Sequence, residues 1–421
     1  MSGETATEGL LRELAPQVLG SLVRRYGHFD ECEDAVQEAL LAAAVQWPAS
    51  GVPGNPRGWL ITVASRRMID QWRGDQARRS REVSAFERAP DLRAVAPAAD
   101  EDVAAPPDDD TLTLLLLCCH PDLPEPSRIA LTLRAVGGLT TAEIARAFLL
   151  PEATIAQRIT RAKQRLKDAG ARFETPPSWS DEAIAAMLHV LYLIFNEGYT
   201  ATSGDGLQRA DLTSEAIRLA RAVHRLLPDD GEAAGLLALM LLTEARHGAR
   251  SRPDGTLVPL SEQDRSAWDA GAIAAGTELI TRTMSAAPLG PYQLQAAIAA
   301  VHAEASRAGD TDWRQILALF QILERLTPTP VVRLNRAVAT AMVHGPQAGL
   351  AELEPLDADP RTARHHRLAA VRAHLLEMAG QDAAAAACYQ HAARLTTSLP
   401  ERRYLEDRAA RLATGRGGTA G

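Results

Sequence analysis

Lysine is nearly missing from this chain. Its 45 basic side chains include only Lys163 and Lys167 as lysines, and the rest are arginine. The arginine excess reads as the codon bias of a GC-rich genome and not as chemistry. Aromatic residues are scarce at 4 %, and alanine and leucine dominate, a mix that favours helix over strand. The four cysteines, Cys32, Cys118, Cys119 and Cys388, form no disulfide framework and no CxxC pair. Cys118-Cys119-His120 lacks the spacing of a zinc site and follows four leucines, so buried structural thiols are expected, with no metal and no cofactor. No apolar run approaches the ~18 residues of a membrane span, and no charged-then-apolar leader opens the chain. A cytoplasmic protein is expected. Nor is there a nucleophile–base arrangement or a phosphate loop, so catalysis is not expected.

What is present is local. The net charge of −8 would by itself oppose nucleic acid as a partner. Residues 66–81 nevertheless hold six arginines against two aspartates, and residues 128–172 hold nine basic against three acidic side chains. Between them, residues 87–110 hold eight acids against two arginines. Two basic patches separated by an acidic strip form a pattern that any function for the chain has to explain.

Residues 139–166 carry the most information. Thr141–Phe148 reads as a short helix with Ile144, Ala145 and Phe148 inward. Leu149-Leu150-Pro151 turns the chain, and a second helix starts at Pro151 or Glu152, burying Ile155, Ile159, Ala162 and Leu166. Its other faces carry Thr154, Gln157, Arg158, Arg161, Lys163 and Arg165. A basic helix held by a turn against a small apolar helix is a means of entering the DNA major groove, where Arg and Gln suit base edges and Arg and Lys also bind phosphates. The alternative from spacing alone is a solvated basic helix in an ordinary bundle.

The whole chain reads as all-α. Residues 8–46 show helical periodicity, Pro48–Pro56 is a Gly/Pro-rich loop, and residues 57–73 are a further helix, giving a first domain over 8–83. Residues 84–110 lack periodicity and are expected to be a flexible linker, either a solubilising tether or a nucleic-acid mimic. The helix-turn-helix domain spans 111–174, ended by the breaker Thr175-Pro-Pro. Residues 178–414 are almost entirely amphipathic helix. There Arg333-Leu334 and Arg367-Leu368 repeat at a 34-residue period, followed by Gly345 and Gly380. That is the tetratricopeptide period, so stacked helix pairs are expected.

Tyr26, Asp34-Ala35-Val36-Gln37-Glu38, Trp59-Leu60, Val63-Ala64, Ile69-Asp70 and Arg73 resemble region 2 of sigma-70-type transcription initiation factors. The spacing is similar to that of the extracytoplasmic-function (ECF) subgroup. Glu143-Ile144-Ala145 and Thr154-Ile155, Arg158 and Arg161-Ala162 then resemble region 4. The resemblance implies that Asp34, Gln37 and Glu38 dock on core RNA polymerase. Asn55 would read melted −10 DNA, with Arg66, Arg67, Arg73, Arg78 and Arg79 on phosphates. Thr154, Gln157, Arg158, Arg161, Lys163 and Arg165 would meet double-stranded −35 DNA. This sequence departs from the pattern at Arg66, where asparagine is usual, and at Leu149, where glycine is common. Trp59 and Trp72 are expected in the core and not as base-stacking platforms.

Leu191–Tyr199, Gln263–Asp269, Gly290–Gln295 and Leu334–Ala339 resemble the ECF group with a tetratricopeptide-like C-terminal extension. There Gly198 reads as a helix stop and Ser261–Asp264 as a helix-start box. Asn196, Glu197, Tyr199, Asp264, Arg265, Trp268 and Asp269 either cap and pack helices or line an interdomain or ligand surface. The function expected is an alternative sigma factor regulated in cis by its C-terminal domain, with a protein or small molecule as effector. The alternative is a helix-turn-helix regulator with a helical sensor domain that never joins polymerase.

Overall fold

A computed structural model of the chain describes residues 2–83, 107–148, 150–169, 180–200, 210–252, 255–358 and 365–414. They divide into two units, Met1–Val190 and Leu191–Gly421. Regular structure among the described residues is helical throughout, apart from one isolated bridge between Ser251 and Leu257. The expected all-α architecture, two small helical domains followed by a large helical one, is what forms.

The first unit begins with three long helices, α1 (Ser2–Tyr26), α2 (Phe29–Ser50) and α3 (Pro56–Val83). They pack mutually around Val18, Leu19, Leu22, Val36, Leu60 and Met68, all at most 2 % exposed. The loop expected at Pro48–Pro56 is shorter. Helix α2 continues through Pro48 to Ser50 and ends at Gly51, whose φ of +80° suits glycine. Pro48 forfeits one backbone hydrogen bond, but buried Trp47 holds the last turn against the ring of Trp59.

Helices α4 (Pro107–Cys118), α5 (Glu125–Ala135), α6 (Thr141–Phe148) and α7 (Glu152–Asp168) complete this unit up to α8 (Asp181–Tyr199). Residues 84–106 of the expected linker lie outside the described residues, as do Leu149 and the breaker at Thr175. The linker's last residues are not a tether. Pro107 starts α4, and Asp110 is 2 % exposed, paired with Arg24 on α1 at 2.9 Å. A Cβ on Gly20 would sit 2.7 Å from the Asp110 Cβ, so the missing side chain lets α4 lie directly on α1. The thiols of Cys118 and Cys119 are buried, the latter 3.9 Å from the Thr132 hydroxyl on α5. Burial pushes Cys119 up to about 12, keeping it protonated and inert at neutral pH.

The second unit contains α9 (Ala210–Leu226), α10 (Gly231–Glu244), α11 (Ala270–Ala286), α12 (Pro291–Glu304), α13 (Trp313–Leu326), α14 (Pro330–His344), α15 (Pro346–Asp357), α16 (His366–Met378), α17 (Asp382–Leu395) and α18 (Leu399–Ala413). Helix α10 is buried on nearly every face and packs against α9, α11 and α12. The Glu232 carboxylate on α10 accepts from the backbone N–H groups of Tyr292 and Gln293, capping α12 from outside. Later helices pair in order, α14 with α15 and α16 with α17, turning at Gly345 (φ +94°) and Gly380 (φ +72°). The two glycines of the sequence repeat both stand at helix ends with positive φ.

Gly198 stands one residue before the end of α8 at Tyr199 but without a positive φ, so it is not the glycine stop expected. It lies inside α8, and a Cβ there would come within 2.7 Å of the Thr213 backbone nitrogen and 2.8 Å of the Leu212 Cβ. The glycine serves a close helix crossing. Ordinarily Gly→Ala inside a helix stabilises by ~1 kcal/mol. Gly198→Ala should instead destabilise by about 1–3 kcal/mol in urea unfolding, because the crossing must open. A stabilising result would show that the approach of α8 to α9 is slack.

Candidate nucleic-acid interface

The helix-turn-helix is built from local signals. Thr140 and Glu143 form a reciprocal cap on α6. The Glu143 backbone N–H donates to the Thr140 Oγ1 at 3.2 Å, and the Thr140 N–H donates to the Glu143 carboxylate at 2.7 Å. Pro151 precedes the first residue of α7 and fixes its start. Ile155, Ile159, Ala162 and Leu166 are buried, matching the sequence pattern. That orientation leaves Gln157, Arg161, Arg165 and Lys167 exposed. Thr154 and Arg158 are half-buried, and Arg158 lines a small cavity together with Ile155 and Phe148.

Lys163 behaves differently from its neighbours. Its side chain is only 10 % exposed, and its Nζ lies 2.7 Å from Asp30, 2.8 Å from Glu33 and 3.2 Å from Asp34 on α2. The expectation had Lys163 on DNA and Asp34 on polymerase. In this structure the two residues are brought to each other. Burial disfavours the lysine's charged form, but the facing carboxylates, Glu33 foremost, outweigh that and hold its pKa above the ordinary lysine value.

Glu33 is the residue that sequence reading missed. It is 1 % exposed and also accepts from Arg134 Nε on α5 at 2.7 Å. A signal existed: Glu33 stands between Cys32 and Ala35 and three residues before Val36, on the apolar stripe of α2. An acid on such a stripe requires a buried cation. Of the other residues expected on polymerase, Gln37 is half-buried and Glu38 is exposed, 3.4 Å from Arg67 on α3.

The residues expected at −10 DNA are spread along the start and outer face of α3. Asn55 caps the helix, its Oδ1 accepting from the Gly58 N–H at 2.9 Å. Arg66, Arg67 and Arg73 are exposed, and the side chains of Arg78 and Arg79 lie outside the described residues. Trp72 is half-buried, edge-on to Tyr26 and donating to Glu31 through its indole nitrogen.

In the second unit, Asp264 caps a short turn at Ser266 and Asp269 caps α11 at Ala272. The helix start thus falls several residues after the Ser261–Asp264 box. The Tyr199 ring stacks on Phe195 and lies 3.6 Å from the Arg250 guanidinium. Asn196 and Glu197 are half-buried on α8. Arg265 and Trp268 touch each other, the guanidinium 4.8 Å from the ring centroid.

Comparison with known proteins sets these elements in order. Residues 10–79 match the family model described as Sigma-70 region 2, and residues 113–166 match Sigma-70, region 4. Residues 183–284 match a family of unknown function, DUF6596. The chain is 43 % identical over 394 residues to an uncharacterised protein, R00370, of Rhizobium meliloti (strain 1021), covering 93 % of this chain and 92 % of that one. It is 27 % identical over 152 residues to the ECF RNA polymerase sigma factor SigK of Mycobacterium ulcerans (strain Agy99), covering 36 % of this chain and 73 % of SigK. No solved structure is significantly similar.

The two lysines make a paired test of the α2–α7 contact. Lys163→Ala removes one of the two cations beside buried Glu33 and should cost about 1–3 kcal/mol in urea unfolding. Lys167→Ala, at an exposed position, should shift stability by less than ~0.5 kcal/mol. Because the folded pKa of Lys163 is raised, its contribution is fully present below the unfolded value of about 10.4 and is lost only as pH climbs beyond it. Equal and small effects at both positions would remove the contact from any account of the fold.

Proposed function

Because residues 10–79 and 113–166 match sigma-70 regions 2 and 4 in that order, we propose that the chain serves as an alternative sigma subunit of the ECF kind. It binds core RNA polymerase in the cytoplasm and directs it to promoters. The observation that carries this reading is the arrangement of charge on the matched regions. Helix α2, in the region 2 match, presents carboxylates, while α7, in the region 4 match, presents arginines and glutamine on its exposed face.

Each charge has a physical use. Asp34, Gln37 and Glu38 supply orientation and on-rate toward a basic surface of polymerase. Arg66, Arg67 and Arg73 hold phosphates beside the melted −10 element, with Asn55 at the helix start nearby; Arg78 and Arg79 extend that row in sequence. Thr154, Gln157, Arg158, Arg161 and Arg165 face the −35 major groove.

The contact of Lys163 with Asp30, Glu33 and Asp34 sets a condition on this function. Promoter elements centred at −35 and −10 lie ~25 base pairs apart, roughly 80 Å of duplex at 3.4 Å per step. Helices held together as here, by Lys163 and Arg134 on Glu33 and by α4 against α1, cannot reach both. On our reading the contact is the resting state, and polymerase replaces Lys163 as the partner of Asp34. Lys163 then becomes free for a DNA phosphate.

The second unit, a tetratricopeptide-like array on this reading, regulates the first in cis and takes a protein or small-molecule effector. Purified core enzyme and a promoter library test the proposal. The full-length chain should direct run-off transcription from a defined promoter set, and Asp34→Ala with Glu38→Ala should weaken its binding to core enzyme. Failure to bind core enzyme at all would favour a conventional helix-turn-helix regulator. A chain ending at residue 172 that matched the full chain in activity, promoter choice and polymerase affinity would end the regulatory part. At the −35 site, Arg158→Ala or Arg161→Ala should cost ~1–3 kcal/mol on the preferred sequence if either side chain grips a base in bidentate fashion. A loss uniform over all sequences would make that residue a phosphate contact.

A further inference from the structure

The second unit concentrates unsatisfied nitrogen donors around one indole. Trp268 is 6 % exposed. Two guanidiniums lie against its ring, Arg265 at 4.8 Å and Arg246 at 6.0 Å from the centroid. Arg265 is partly committed: its Nη1 donates to the carbonyls of His302 and Ala305 at the end of α12, and its Nη2 to the Thr311 Oγ1 at 3.3 Å. Those carbonyls fix the guanidinium, and the helix dipole favours it there.

Arg246 has no such commitment. Among the described residues it meets no carboxylate and makes no hydrogen bond through its buried Nε. The nearby acid Glu244 is engaged through its Oε1 by His247 at 3.1 Å and the Thr213 hydroxyl at 3.1 Å, while its buried Oε2 has no partner among the described residues. The Nε of Arg265, the Nε1 of Trp268 and the Nδ1 of His302 are likewise buried without a partner. The His302 imidazole stands edge-on to Trp313 at 5.2 Å. Burial, together with the charges of Arg246 and Arg265, pushes its pKa down to about 4, so positive charge gathers here, with Asp310 as the acid that acts on Arg265.

Buried polar groups in folded proteins are nearly always satisfied, and a cation left without a counter-charge destabilises its surroundings. Guanidinium and indole N–H groups donate and never accept. A cluster of them drawn from the end of α10, the Arg265–Trp268 turn and α12 complements an acceptor of negative charge. Such charge-assisted hydrogen bonds are the strong class.

We propose that Arg246, Arg265, Trp268 and His302 form a binding site for a small-molecule oxyanion, the phosphate or carboxylate group of a ligand taken up by the second unit. The four residues all belong to the second unit, and nothing in the site depends on the sigma reading. Arg265 and Trp268 form its fixed wall. Arg246 and His302 supply the groups that the anion completes.

Calorimetric titration of the full-length chain at constant ionic strength tests this, with inorganic phosphate in one arm and succinate in the other. Saturable binding below about 10 mM in either arm is expected, and the stronger arm identifies the oxyanion. Arg246→Gln and Trp268→Phe should each weaken it, the former about tenfold or more. Without ligand, Arg246→Gln should melt at the wild-type temperature or above, since it removes an uncompensated cation. A fall of more than about 3 °C would mark Arg246 as a structural residue and overturn the proposal. So would the absence of saturable binding in both arms, or binding unchanged in Arg246→Gln.

Discussion

A carboxylate withdrawn from water must be met by positive charge, and Glu33 is met twice, by Arg134 and by Lys163. Both cations come from helices far along the chain, so α2 cannot bury this acid without α5 and α7 in place. The contact makes the first three helices and the helix-turn-helix one cooperative body. Its energetic character also matters. An ion pair of this kind adds little net stability over a well-packed apolar contact, because desolvation offsets attraction. What it supplies is choice of partner and the possibility of exchange. Ionic groups that separate can be rehydrated, whereas a parted apolar core has no comparable substitute.

Elements governed by near neighbours were legible in the residues themselves. The bounds of α6 and the start of α7 follow from helical periodicity and Pro151, and the buried face of α7 is the one its spacing indicates. Elements governed by distant partners were not. Gly198 looks like a helix end until α9 is seen crossing it. Asp110 looks like the tail of an acidic tether until Arg24 is seen beside it. Asn55 looks like a free polar loop residue, yet it holds the first turn of α3. Lys163 is the sharpest case. Its place on a basic helix implies a phosphate, and only the packing of that helix shows three carboxylates within reach.

The second unit follows another economy. Its helices approach closely where glycine replaces a side chain, as Gly235 does against the backbone of Gln293 and Gly276 against Leu242. Its loops are held by side chains that reach across to the ends of helices: Glu232 to the start of α12, Arg265 to its end. Both ends of α12 are thereby tied to other elements. An occupied donor cluster beside Trp268 would draw the end of α10 toward the end of α12, two helices already joined at the other end of α12 through Glu232.

The scarcity of lysine gives the first unit a built-in chemical readout. The chain has two side-chain amines, both on α7, one enclosed by carboxylates and one facing water. Reagents that acylate amines therefore meet an internal reference and an internal sensor four residues apart. Modification of Lys167 proceeds whatever the state of the molecule. Modification of Lys163 requires α7 to have left α2, and the ratio of the two counts the molecules that have opened.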